Sequence, residues 1–292
     1  MSQLDILAIG AHPDDVELGC GGTLALAARQ GRRVGILHLT RGERGSRGTA
    51  EERLAEAERA AAALGAVELA FLDCGDGALR HAEAEEDALI EVLRTWRPEL
   101  VLGPPRHDRH PDHGRAHELV AAAAFYSGLA ARGSRAAGAP HRPAAVFSYM
   151  QHHGFEPSFV VDVTATWEIK LAALAAYRSQ LYQASGGGPA SAAAMAAAAG
   201  AAAAASGVAP PAAPAATFAA SAASGASTSG GVAHPGAAPP LTKVASREFR
   251  LAVEGRARHF GQLIGAELGE PFWSPLPLAV SDLSALAPRG LR

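Results

Sequence analysis

The apolar run Ile6-Leu7-Ala8-Ile9 breaks off at Ala11-His12-Pro13-Asp14-Asp15. A strand that delivers an imidazole and two carboxylates has to end where those groups can be solvated or paired, because unpaired charge is expensive to bury. A sheet edge facing a cation meets that need. The later run His107-Asp108-Arg109-His110-Pro111-Asp112-His113 brings a second group of the same residue types, and it too follows an apolar stretch.

The spacing of apolar runs between these clusters predicts the architecture. Strand patterns cover residues 5–10, 33–40, 67–72, 99–103, 146–150 and 159–163. Helical patterns open at Cys20-Gly21-Gly22 and run through Arg29, then cover residues 51–64, 87–96, 114–129 and 246–265. The second helix sets Glu and Arg on one face and Leu54, Ala57, Ala61 and Leu64 on the other. Strands separated by helices imply parallel pairing through right-handed crossovers, hence a Rossmann-like, doubly wound, mostly parallel α/β sheet flanked by helices. Ligands of such sheets bind beyond the carboxyl ends of the strands. His12, Asp14 and Asp15 follow the first strand, Arg41 and Glu43 the second, Asp73 the third, and His110 to His113 the fourth. The chemistry therefore gathers on one edge.

Residues 185–242 depart from this pattern. Ala, Gly, Ser and Pro dominate, residues 185–240 carry no charged side chain, and Phe218 is the only aromatic. So little large apolar surface does not offset the entropy of ordering, so this stretch reads as a disordered or partly helical insertion, with a lid over the site as the functional alternative. The catalytic core then occupies residues 1–184, and residues 243–292 complete the same domain with a helix and a tail in which Gly269-Glu270-Pro271-Phe272 closes the fold. A net charge of -3 argues against general nucleic-acid or acidic-membrane binding. Two cysteines, Cys20 and Cys74, make no disulfide framework. Without a secretory signal or an apolar run of membrane-spanning length, the expected location is the cytoplasm.

Catalytic zinc takes three protein ligands and leaves a position for water. His12 and Asp15 suit two of them, and Asp14 can act as a base on the water. Pro13 stiffens the turn between them. His113, at the start of a helix, is the candidate third ligand. His110 can donate to an oxyanion, with Asp112 orienting its ring. Each residue alone has a plainer reading: an Asp pair after a strand is commonly a helix cap, and a lone His a surface or core residue. Two such clusters at equivalent strand ends favour the metal site. Gly19-Cys20-Gly21-Gly22 lacks the spacing of a dinucleotide loop. Two histidines and an aspartate accept ferrous iron as well as zinc.

The stretch from Ala11 to Thr23, with His110-Pro111-Asp112-His113, resembles the signature of the LmbE-like (PIG-L) zinc N-deacetylases. Leu39 to Thr49 and Gly269-Glu270-Pro271-Phe272 resemble the bacillithiol-biosynthesis branch, the N-acetylglucosaminyl-L-malate deacetylases. The resemblance covers roughly residues 4–183 and 245–285. It implies one Zn2+ held by His12, Asp15 and His113, with Asp14 as general base and His110, oriented by Asp112, as electrostatic stabiliser or acid. It further implies Glu17, Arg53 and Arg109 as contacts to the sugar and a carboxylate. Arg53 competes with a plainer reading as a helix-surface partner of Glu residues. Some mycothiol-branch relatives carry a Tyr two residues before the equivalent of His110; Asp108 stands there in this chain. The implied activity is hydrolysis of a linear amide C–N bond in an N-acetylglucosamine conjugate, by a homo-oligomer such as a hexamer. Alternatives are deacetylation of another N-acetyl sugar, a thiol-conjugate amidase, or a non-catalytic metal- or nucleotide-binding sensor on the same fold.

Overall fold

The computed structural model describes residues 3–132, 138–181 and 242–280. The low-complexity insertion, but for Thr242, lies outside the described residues. The chain runs β1 (Ile6–Gly10), α1 (Asp15–Arg29), β2 (Val34–His38), α2 (Ala50–Leu64), β3 (Glu68–Phe71), α3 (Glu83–Trp96), β4 (Leu100–Gly103), α4 (Pro111–Tyr126), β5 (Ala145–Tyr149), β6 (Phe159–Asp162), α5 (Trp167–Ala176), α6 (Arg247–Leu263) and β7 (Gly269–Trp273).

Among the described residues, seven strands form one sheet in the order β3-β2-β1-β4-β5-β7-β6. The first five pair in parallel, with Ile6 opposite both Val34 and Leu100. Successive side chains of a strand face opposite sides, and the core divides accordingly. Leu7, Ile9 and Leu37 pack with α3 and α4 through Leu89, Leu93, Trp96 and Leu119. Ala8, Val34 and Ile36 pack on the other side against Leu24, Ala57, Leu64 and Tyr177. The chain moves outward from β1 to β3 and returns to place β4 on the opposite side of β1. That reversal is the topological switch point, where the strand ends leave a crevice.

Several features differ from the sequence expectation. Helix α1 begins at Asp15, before the glycines, and is bent at Cys20, whose φ of -144° and ψ of 19° are not helical. Helix α4 begins at Pro111, so His113 already lies in its first turn. The tail is a strand: β7 runs antiparallel between β5 and β6, with Phe272 opposite Tyr149 and Glu270 opposite Val161. Helix α5, which sequence patterning missed, packs on α1 and α2.

The bend in α1 is held from both sides. Lys170 Nζ donates to the Leu18 carbonyl (2.9 Å) at the end of the first segment. Glu270 accepts from the Gly22 and Thr23 N–H groups (3.0 and 2.7 Å) at the start of the second. A cation thus sits at a helix C-terminus and an anion at an N-terminus, as the helix dipole favours. Lys170 and Glu270 also pair with each other at 2.5 Å, and both are buried. Tyr149 packs against Gly19 and donates its hydroxyl to the Ile9 carbonyl at 2.9 Å.

A Cβ on Gly19 would come within 2.1 Å of the Tyr149 ring, so only glycine lets the helix approach this closely. Gly19→Ala is expected to displace Tyr149 and destabilise the fold by about 1–3 kcal/mol. Urea denaturation monitored by circular dichroism checks this, and an unchanged midpoint would contradict it.

Candidate active site

Segments that follow the parallel strands converge on a buried cluster at the carboxyl edge of the sheet. Residues 11–14 after β1 carry His12 and Asp14. The turn after β3 carries Asp76. The segment after β4 carries Asp108 and His110, and Gln151 follows β5. Asp15 and His113 stand in the first turns of α1 and α4. His12, Asp14, Asp15, Asp76, Asp112, His113 and Gln151 are all buried.

The two imidazoles are oriented by carboxylates. His12 Nε2 lies 3.3 Å from both Asp76 Oδ1 and Asp112 Oδ2. A carboxylate only accepts, so Nε2 carries a proton there, and Nδ1 faces Asp15 Oδ2 at 3.5 Å. His113 Nδ1 lies 2.6 Å from Asp108 Oδ2, which leaves Nε2 facing Asp15 Oδ1 at 3.3 Å. Both rings thus present their remaining nitrogen to the same aspartate. An imidazole backed by a carboxylate and presenting its free nitrogen is the arrangement of metal-binding histidines. The donor set fits a divalent cation of the zinc type.

The charges show what such a cation would relieve. Burial pulls His12 toward neutrality, but hydrogen bonds to Asp112, Asp15 and Asp76 outweigh it and hold its pKa well above the usual value. Burial opposes the charge of His113 too, yet Asp15 and the hydrogen bond to Asp108 raise it to about 9. Burial acts against the Asp15 carboxylate, and His113 and His12 overcome it, holding its pKa well below the usual range. The two protonated rings supply the positive charge that Asp15 requires. A cation held there would supply it equally well, and its binding would release those protons.

Asp14 stands apart from this trio. Its φ of 102° is left-handed, a strained state for a residue with a Cβ. It occupies the N-cap of α1 but makes no cap hydrogen bond, so the plainer helix-cap reading does not describe it. Burial raises its pKa to about 7, offset by Arg53, whose Nη2 is 3.9 Å from Asp14 Oδ2. His110 caps α4, its Nδ1 accepting from the Asp112 N–H at 3.2 Å. Its proton is therefore on Nε2. Burial, then the positive His12 and His113, lower its pKa. A neutral His110 still has an N–H to donate.

Several expected roles change. The Asp112 carboxylate does not turn to the His110 ring; it bonds His12, the Gly77 N–H at 2.8 Å and Arg115 at 3.0 Å. What reaches His110 is the Asp112 backbone. Arg53 is neither a surface residue nor open to a sugar. It is buried and donates to the carbonyls of Pro13 (2.6 Å) and Gly42 (3.2 Å), fastening the His12-to-Asp15 turn to the loop after β2. Glu17 is fully buried, its carboxyl pushed up to about 8 by burial and accepting from Tyr177 Oη at 3.0 Å. It has no exposed face for a substrate. Arg109 is exposed, next to His110, as a substrate contact requires. Asp76, Asp108, Gln151 and His38 were not anticipated. His38 is fully buried with its Nδ1 3.1 Å from the His12 carbonyl, and burial lowers its pKa to about 3, so it supports the turn as a neutral donor.

Among the described residues, the groupings that bring three donor atoms within 4.8 Å of one another are His12 with His110 and His113, and His12 with Asp76 and Asp112. In the second, Asp76 Oδ2 already accepts from the Arg44 N–H, and Asp112 from Gly77 and Arg115. Those carboxylates serve as supports for His12.

The match to known proteins covers this same region. The model of the GlcNAc-PI de-N-acetylase family, PIG-L, matches residues 7–124. A diacetylchitobiose deacetylase of Thermococcus kodakarensis is 34% identical over 188 residues, spanning 60% of this chain and 69% of the relative. The chain belongs to the PIG-L (LmbE-like) family of hydrolytic N-deacetylases. A 1D-myo-inositol 2-acetamido-2-deoxy-alpha-D-glucopyranoside deacetylase of Thermomonospora curvata is 29% identical over 255 residues, spanning 64% of this PIG-L protein and 84% of the relative. Among solved structures, a conserved protein from Thermus thermophilus superposes with a TM-score of 0.70 at 33% identity, covering 95% of this chain and 97% of the other. No helix among the described residues of the PIG-L protein is long and apolar enough to cross a membrane.

The strain at Asp14 yields a test that separates stability from function. Asp14→Gly removes both the left-handed Cβ and a buried carboxyl. It is expected to raise the unfolding free energy by about 1–3 kcal/mol while abolishing turnover. Denaturant unfolding and a hydrolysis assay on the same preparation check this; a destabilised variant would contradict the assigned strain.

Proposed function

We propose that this PIG-L protein removes acetate from an N-acetylglucosamine conjugate, using one divalent cation held by His12, Asp15 and His113, most simply zinc. The observation that carries the reading is the pair of carboxylate-backed imidazoles turned toward one aspartate, with Asp14 beside them but outside the cluster. Family membership and the deacetylase names of its relatives support the reaction class.

When bound, the cation supplies Lewis acidity toward a carbonyl oxygen and lowers the pKa of water toward about 7. The protein's own groups then divide the proton work. Asp14 takes a proton from the attacking water as its oxygen bonds to the acetyl carbon. His110 donates its Nε2–H to the oxygen that becomes negative. The C–N bond breaks, acetate departs, and the proton on Asp14 passes to the leaving amine. Asp14 suits this role because burial and Asp15 already hold its pKa up near 7.

For the group attached to the sugar, an acidic substituent such as malate is the favoured reading. Arg109 is exposed beside His110, and Arg106 is exposed in the same segment. A guanidinium fork matches a carboxylate. Arg53, tied to two backbone carbonyls, is not part of this reading.

Acetate release from N-acetylglucosaminyl malate, free N-acetylglucosamine, diacetylchitobiose and a bacillithiol conjugate, measured on metal-analysed protein, decides the substrate. The malate conjugate is expected to show the highest kcat/KM. Equal turnover of diacetylchitobiose would remove the acidic-aglycone reading, and no release from any of them would remove deacetylation of these sugars. Asp14→Asn is expected to keep its metal and lose about 10²–10⁴-fold in kcat. Loss of metal instead would place Asp14 among the ligands.

A further inference from the structure

Gln151 lies just beyond β5, two strands away from β1 in the sheet. Its side chain is buried, and its Nε2 donates to Asp15 Oδ1 at 2.7 Å and toward the Asp15 carbonyl at 3.4 Å. Both atoms of Asp15 only accept, so the amide nitrogen has to face them; turning the amide over would set oxygen against oxygen. That orientation leaves Gln151 Oε1 buried with no hydrogen-bond partner among the described residues. A stranded acceptor is a local penalty that an apolar side chain of the same length avoids. The amide is thus placed to serve Asp15, not its own hydrogen bonding.

The two Asp15 oxygens are held differently. Oδ2 accepts from the His12 N–H at 2.9 Å, a group on the same turn that moves with it. Oδ1 faces His113 Nε2, and its other donor is Gln151. His152, the next residue, stacks on His113 with ring centroids 6.2 Å apart and planes within 10°. One short segment after β5 therefore touches two of the three groups that converge, from the far side of the switch point.

We propose that Gln151 is a positioning residue of the cation site, whose amide N–H aims Asp15 Oδ1 at His113 and thereby sets how tightly the site holds a divalent cation. This rests on the reading that His12, Asp15 and His113 hold that cation. Outer contacts of this kind are worth about 10–100-fold in metal affinity.

Gln151→Met keeps the length, removes the donor and removes the stranded acceptor. In the full chain stripped of metal, its melting temperature is expected to equal or exceed that of the native protein. Its Kd for Zn2+, from competition with a chromophoric chelator, is expected to rise about 10–100-fold, with kcat recovering in excess Zn2+. A merely structural residue would lower metal-free stability and affinity together. Gln151→Ala provides the same affinity test if the Met variant does not fold. A Zn2+ affinity within about twofold of native, or a parallel loss of metal-free stability, overturns the assignment. Asp15→Ala separates the two levels of the reading. If it binds Zn2+ as the native chain does, the cation site itself is misplaced; if it loses Zn2+ while Gln151→Met keeps it, only the role of Gln151 falls.

Discussion

Asp14, Asp15, Asp76, Asp108 and Asp112 are packed with His12 and His113 under one edge of a parallel sheet, and every one of these charges has to be met there. Burial without a partner would cost each of them several kcal/mol. The loops around the site are organised by that requirement. Asp76 takes the Arg44 N–H, Asp112 the Gly77 N–H, Asp108 the His153 N–H, and Asp15 the His12 N–H. Arg53 spans from α2 to the Pro13 carbonyl, and Gln151 reaches in from β5. Each connection is pinned to its neighbour through a polar side chain, so the edge of the sheet that carries the chemistry is also heavily cross-linked.

The fold behind the edge serves the same end. A straight α1 would run past the glycines without interruption. The bend at Cys20 turns it into two short segments, each capped by a buried charge from a distant element. A buried ion pair is weak evidence for stability; the geometry of Lys170 and Glu270 gives this one a different value. It closes both helix ends at the bend and ties the turn bearing Asp15 and Glu17 to α5 and β7. Tyr149 adds a third tie, from β5 through Gly19 to the end of β1. Strands β5 and β7 thus reach the turn bearing His12 and Asp15 from behind, as Gln151 reaches it from the front.

These relations explain what was readable from the residues. The clusters around His12 and His113 were legible because their chemistry is contiguous in sequence and each follows an apolar run. The doubly wound order was legible because strand and helix periods alternate cleanly through residue 126. Asp76 and Gln151 were not, since each is a single polar residue whose meaning depends on a partner distant in sequence. Asp108 had a usable signal: a histidine in the first turn of a helix needs an acceptor for its second nitrogen, and Asp108 stands five residues before His113. Arg53 misled because Glu51, Glu52 and Glu56 surround it in a helix, as on a solvated face. Only the packing of α2 under the loop after β2 turns it inward. The strand β7 was hidden by Pro271, and it pairs with elements that come far earlier in the chain.

The adjacent pair Asp14 and Asp15 poses the sharpest structural question, since two neighbouring carboxylates of identical chemistry are asked to do different work. Backbone conformation separates them. Asp15 is already helical, and the imidazoles of His12 and His113 hold it ionised. Asp14 takes the left-handed conformation, which directs the chain into the helix while removing its side chain from that exchange of bonds. Its nearby cation, Arg53 at 3.9 Å, is occupied by carbonyls. The result is one carboxylate saturated with donors and another desolvated and short of them. A saturated carboxylate suits a ligand, and a desolvated one with a pKa near 7 suits a base. Pro13 enters here as well: its fixed φ and its carbonyl bond to Arg53 hold the turn in which the strained residue sits. On the proposed reading, the strain at Asp14 is therefore the means by which one dipeptide supplies both a ligand and a base.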